Sequence, residues 1–246
     1  MRNEACVIGV LLCASSPAAS QEFDLPTVRY PALPAAAASA DGLVPRGWTI
    51  VGRKSGDLNG DGRADLVLLM RMRDPANIIT IPWADGTERF DTNPHLLAIA
   101  FGEAGGRYRL AASNRGLFLR PSRPYTGDGP PGEDSIAIER GGLLVSFEFL
   151  RGGASYRFRW QSGSFRLIGY EGRGVSGGCI ETISINYLTR RARVTKGLIE
   201  SDRTRVAHRR LAGTPPPTLD RIDLDTFHPE EAIAGPPLLC PYPADE

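Results

Sequence analysis

Asp57, Asn59, Asp61 and Asp65 stand at positions 1, 3, 5 and 9 of the stretch DLNGDGRAD. Each brings a hard oxygen donor. Gly62 at position 6 permits a sharp turn, and Arg63 at position 7 can offer its backbone carbonyl. Ca²⁺ takes roughly six to eight oxygen ligands in flexible geometry, so such a loop suits it. Mg²⁺ demands stricter octahedral placement, and Zn²⁺ prefers nitrogen or sulfur. The chemistry expected here is therefore the binding of a hard cation, with a metal-free Asx/Gly turn as the other reading. The loop is not an EF-hand. Position 12 is Leu68 where an EF-hand carries a bidentate Glu, and the following ADLVLLMRM reads as a strand.

A D-x-[DN]-x-D-G-x-x-D loop between two strands resembles the calcium loops of FG-GAP/VCBS repeats, known from integrin alpha-chain propellers. That resemblance implies Asp57, Asn59, Asp61 and Asp65 as side-chain ligands of a structural Ca²⁺. It implies Arg63 as a carbonyl ligand with its guanidinium turned outward. IAFGEAGGRYRL, residues 99–110, resembles the later part of such a repeat, where a strand ends in a Gly turn and an aromatic opens the next strand. Residues 47–111 then form one blade-sized unit, with DPANIITIPWADGTERFDTNP inserted. No second copy of the loop occurs, and a propeller needs several blades. Taken whole, the chain resembles exported bacterial proteins that carry one such loop.

Other arrangements are weaker. Gly174-Val175-Ser176-Gly177-Gly178 matches the string of a nucleophile elbow, but that elbow needs a helix after the serine. Here Cys179 onward reads as a strand, so a glycine loop is expected. His95, His208 and His228 lack ligand spacing and read as surface or locally bonded side chains. Asp223/Asp225 and Glu230/Glu231 lie in a polar tail and read as solvated. Tyr156, Phe158 and Trp160 could line a carbohydrate or peptide groove, but at period two they read as core.

Residues 1–20 read as a cleaved signal peptide: Arg2, an apolar run from Cys6, and small residues before Gln21. Val10-Leu11-Leu12-Cys13 has the outline of a lipoprotein box, with bulky Leu12 where that box takes a small residue. The expected location is periplasmic or secreted, with no transmembrane segment in the mature chain. Cleavage leaves Cys179 and Cys240. One disulfide is their simplest use in an exported protein, two free thiols or an intermolecular bond the alternatives. The formal charge of +1 gives no global pull toward nucleic acid, and no nucleic-acid motif is present.

These features need a β scaffold. After a Pro/Ala-rich lead-in, residues 21–46, with room for one short helix, the dominant period is two. Val145, Phe147 and Phe149 alternate with Ser146 and Glu148; Ile183, Ile185 and Tyr187 alternate with Ser184 and Asn186. The expected fold is mainly β, with antiparallel sheets in a sandwich or blade-like meander over residues 47–211. Residues 212–246 form an irregular tail that wraps over it through Ile222, Leu224 and Phe227. The expected role is binding or structural, toward an extracytoplasmic protein or glycan. A secreted hydrolase with a site built from scattered residues is the alternative.

Overall fold

The computed structural model describes residues 23–83, 86–122, 129–213 and 215–241. The signal-peptide expectation for residues 1–20 lies outside them. Strands β1 (Ala36–Ala37), β2 (Trp48–Gly56), β3 (Asp65–Met72), β6 (His95–Gly102) and β7 (Tyr108–Asn114) form one antiparallel sheet in the order β1-β7-β6-β3-β2. A separate hairpin, β4 (Ile78–Trp83) and β5 (Gly86–Asp91), stands between β3 and β6. The second sheet is a seven-stranded meander in sequence order: β8 (Ile136–Glu139), β9 (Gly142–Phe149), β10 (Gly152–Gln161), β11 (Ser164–Ser176), β12 (Cys179–Asn186), β13 (Arg191–Leu198) and β14 (Thr204–Arg210). All strand pairs within the sheets are antiparallel and no barrel closes.

The two sheets pack face to face. Val67, Leu69, Leu97 and Ile99 of the first meet Leu143, Val145, Phe158 and Leu167 of the second, all nearly inaccessible. Period two in the second sheet follows from this single buried face. In the first sheet, β3 and most of β6 are buried on both faces. Leu66, Leu68, Met70, Leu96 and Ala98 point away from the inter-sheet core, into a second cluster with Ala37, Ala40, Leu43 and Trp48. The lead-in thus forms a third layer, which explains the unbroken apolar run LVLLM.

Polar side chains tie the irregular segments down. Asn114 donates from Nδ2 to the carbonyls of Leu219 and Ile222 at 2.6 and 2.7 Å, and its Oδ1 accepts from the N–H groups of Gly116 and Leu117. Leu219 and Ile222 thereby enter the inter-sheet core. Arg120 donates to the carbonyls of Pro26 and Thr92, to Thr92 Oγ1 and to Asn77 Oδ1, fixing the lead-in to the β4–β5 hairpin.

Three segments depart from the sequence reading or add to it. The lead-in forms no α-helix. Ala36 and Ala37 pair with Arg109 and Tyr108 at the sheet edge, and only a 3-10 turn, Asp41–Leu43, follows. Edge pairing outweighs the modest helix preference of an alanine run. Secondly, the inserted stretch is itself a hairpin, with Pro82 allowed because the pair has only edges. Thirdly, His95 is neither exposed nor locally bonded. It is fully buried at the start of β6, its ring centroid 6.2 Å from that of Phe118, and neither nitrogen makes a well-formed hydrogen bond, the Pro131 carbonyl offering only a weak one.

Burial, reinforced by the Arg71 guanidinium, pushes the His95 pKa down to about 4; the Pro131 backbone and Asp91 oppose this more weakly. The folded value lies below the unfolded one. The neutral ring's contribution is therefore complete above about pH 6.5 and is lost as pH falls toward about 4. Wild-type protein should lose about 3 kcal/mol through this group between those limits. Urea unfolding of wild type and His95→Leu at pH 7 and pH 4 checks this: the drop in stability should be smaller in the variant.

Candidate functional site

The 57–65 segment is the β2–β3 connection. Gly60 and Gly62 take φ of 82° and 78°, a region that side-chain-bearing residues rarely occupy, so the turn needs both glycines. The polar side chains wrap around the loop's own N–H groups. Asp57 accepts from Gly60 at 2.7 Å and from Gly62 at 2.9 Å. Asn59 Oδ1 accepts from the Asp61 N–H, and Asp61 Oδ1 accepts from the Arg63 N–H. Asp57 and Asn59 are half-buried, and Asp61 lies at the exposed rim.

Asp65 differs. It opens β3 with no accessible surface. Its Oδ2 accepts from the Leu58 N–H at 2.8 Å and its Oδ1 from the Gly102 N–H at 2.9 Å. One carboxylate therefore joins the start of the loop to the end of β6. A Cβ added to Gly102 would lie 2.5 Å from the Ala64 carbonyl oxygen, so only glycine lets these backbones meet. Burial pushes the Asp65 pKa up; the Leu58 and Gly102 hydrogen bonds oppose it, and the Asp61 and Asp57 charges add to the rise. The Asp61 pKa is held down, first by the Arg63 N–H.

The Arg63 side chain is 52% exposed but not free. Its Nη1 lies 3.0 Å from Asp61 Oδ2, because the nearest carboxylate attracts an exposed guanidinium. Among the described residues no three His, Cys, Asp or Glu side chains close on one point. The residue types still suit a hard cation: both oxygens of Asp57 and the Oδ1 of Asp61 accept one hydrogen bond each and keep lone-pair capacity, while Asp61 Oδ2 is taken by Asn59 Nδ2 and Arg63 Nη1.

The hydrolase string is a hairpin turn. Ser176 ends β11, Gly177 and Gly178 turn the chain with φ of 54° and 76°, and Cys179 opens β12. A strand follows, not a helix, so the elbow context is absent. Tyr156 and Phe158 are core, with Trp160 packed against them. Asp223 Oδ1 caps the Asp225 N–H, while Glu230, expected to be only solvated, lines a pocket.

That pocket is the concave feature sequence reasoning missed. It occupies about 520 Å³ on the inner face of the second sheet, beyond the contact with the first. Ala154, Gly172, Gly174, Ile183, Val194 and Ala207 line the sheet side; Glu230, Ile233 and Gly235 to Leu238 line the other. The tail arches over it between two anchors. Ile233 bridges Leu211, and Cys240 is disulfide-bonded to Cys179. Lys196 Nζ lies 3.3 Å from Glu181 Oε1 across neighbouring strands, both lining the pocket. One sequence signal was available: Gly172 and Gly174 alternate on the face of Tyr170, and glycine inside a strand marks close approach or open space.

Comparison with protein-family models, with curated proteins and with solved structures found no match. The reading of both sites therefore rests on their geometry and on the loop's spacing.

Two outcomes follow. Asp65→Asn would set an amide N–H₂ against a backbone N–H, and should cost about 2 kcal/mol in chemical denaturation with chelator present. In the chain-entropy model the disulfide, which spans 61 residues, stabilises by about 4 kcal/mol. Cys179→Ser/Cys240→Ser should lose a comparable amount, and thiol titration of unfolded, unreduced protein beginning at Gln21 should detect no free thiol.

Proposed function

We propose that this chain is an exported β-sandwich binding protein whose 57–65 loop holds Ca²⁺ as a structural clip. The observation that carries the reading is the placement of Asp65. Its buried carboxylate already fastens the loop to the end of β6, with Asp57 and Asn59 half-buried and Asp61 exposed in the turn that follows Leu58. Asp57, Asn59 and Asp61 would hold the ion, with the Arg63 carbonyl completing the set; Asp65, expected as a fourth side-chain ligand, is buried with its oxygens on the Leu58 and Gly102 N–H groups and would instead add negative charge beneath. A bound ion supplies charge neutralisation and rigidity, and no reaction is assigned to it. The pocket beneath the arch supports the binding role, since small-molecule sites are commonly concave and about 300–1,000 Å³ in volume. The leader-like residues 1–20 and the Cys179–Cys240 bond support an extracytoplasmic location. No helix among the described residues is long and apolar enough to cross a membrane.

A site with a dissociation constant on the order of 10⁻⁴ M would be filled outside the cytoplasm. At about ten times that concentration, one-site linkage gives roughly 1.4 kcal/mol, or a rise of roughly 3–6 °C in melting temperature. Thermal melts in calcium and in chelator measure this. Asp61→Ala should remove the rise, and Ser176→Ala should leave it unchanged. Equal melting of the wild type in both buffers would sink the clip.

A further inference from the structure

The pocket's chemistry narrows what it takes. Tyr170 lies across Gly172: a Cβ added there would sit 2.5 Å from the hydroxyl and 2.9 Å from Cζ. The glycine lets the phenol ring lean along the strand at the edge of the cavity it lines. Phe149, 60% exposed, adds a second aromatic ring to the lining. Ile183, Val194 and the prolines Pro236 and Pro237 supply apolar surface between them. Phe147 stacks on Phe149 with ring centroids 6.5 Å apart, and aromatic surface of this kind lining a cavity suits a ligand with its own apolar, weakly positive C–H face.

The charges restrict the class further. Glu181 is paired with Lys196, and Arg173 is engaged by Glu148. This leaves Arg209 and Glu230, of opposite sign, to face the cavity. A strongly anionic ligand would meet Glu181 and Glu230, and a cationic one Lys196 and Arg209. A wholly apolar ligand would bury these groups without partners, at a cost. A neutral ligand dense in hydroxyls satisfies donors and acceptors alike. Behind the platform, Tyr156 packs with its ring centroid 5.1 Å from that of Tyr170. Tyr187 is also deeply buried, and its hydroxyl has no hydrogen-bond partner.

We propose that the pocket beneath the 233–240 arch binds a short neutral oligosaccharide, with Tyr170 as stacking platform and Glu230 and Arg209 as hydrogen-bonding partners. The proposal rests on the binding role proposed above and not on the calcium loop. Gly174 provides a clean probe. Its φ is not positive, and an added Cβ meets no atom closer than 4.0 Å. Gly174→Leu should therefore fill the cavity while leaving the fold intact.

The experiment is an NMR amide titration of protein beginning at Gln21, with calcium present. The probes are maltotriose, cellotriose and chitotriose, then a galacturonic acid trimer and a proline-rich peptide. At least one neutral trisaccharide should give saturable shifts at Gly172, Gly174, Ile183 and Gly235. Tyr170→Ala should weaken it by about tenfold or more, Tyr170→Phe by less than about threefold. Gly174→Leu should abolish the shifts with its melting temperature unchanged. The proposal is overturned if no neutral trisaccharide saturates below about 20 mM. It is equally overturned if the shifts map elsewhere, or if only the uronate or the peptide binds in a way that Gly174→Leu removes. Because calcium-dependent melting is a separate readout, a clip that holds while sugars fail discards the oligosaccharide alone.

Discussion

A single carboxylate with no access to water, Asp65, is the constraint around which the first sheet is organised. An unpaired buried charge is costly, so both its oxygens must be satisfied in place. They are, by the N–H groups of Leu58 and Gly102, one at the start of the loop and one at the end of β6. That geometry fixes where β2 turns into β3 and how far β6 extends. It also dictates Gly102, whose backbone passes against the Ala64 carbonyl. The remaining loop acids are free to serve another purpose because Asp65 carries the architectural one. Asp57, Asn59 and Asp61 cap the loop's own N–H groups, and Asp61 pairs with the Arg63 guanidinium.

The rest of the molecule reads as successive solutions to covering apolar faces. The first sheet is covered on one side by the second sheet and on the other by the lead-in. The second sheet is longer than its partner, so part of its inner face extends past the sandwich contact. Nothing from the first sheet reaches that region, and the C-terminal segment arches over it instead. The disulfide and the Leu211–Ile233 bridge hold the arch at two points, leaving a cavity between them. Small residues beneath it, Gly172, Gly174, Ala154 and Ala207, keep that space open.

The second sheet was legible in the sequence because one face is wet. Val145/Phe147, Tyr156/Phe158 and Ile183/Ile185 alternate with polar neighbours, and glycine turns such as Arg140–Gly141 separate the strands. Strand β14 was not legible: its inward residues include Ala207 and the charged Arg209, while Val206 is 46% exposed, so the apolar alternation has no amplitude. The β4–β5 hairpin was missed because Pro82 interrupts its run. The loop was visible because its residues are adjacent in sequence. Asp65's double hydrogen bond was not, since Gly102 lies 37 residues away. The pocket was hidden for the same reason: Tyr170, Lys196 and Glu230 come together only when a meander and an arch close over one another.

The central claim is a division of labour in the loop, with Asp65 as a permanent brace and its neighbours as the cation site. Amide hydrogen exchange, residue by residue, in calcium and in chelator separates the two. The account predicts slow exchange at Leu58 and Gly102 in both buffers. At Gly60, Asp61, Gly62 and Arg63 it predicts exchange slowed by about tenfold or more when calcium is added. Fast exchange at Leu58 and Gly102 in chelator, or loop amides indifferent to calcium, would contradict it.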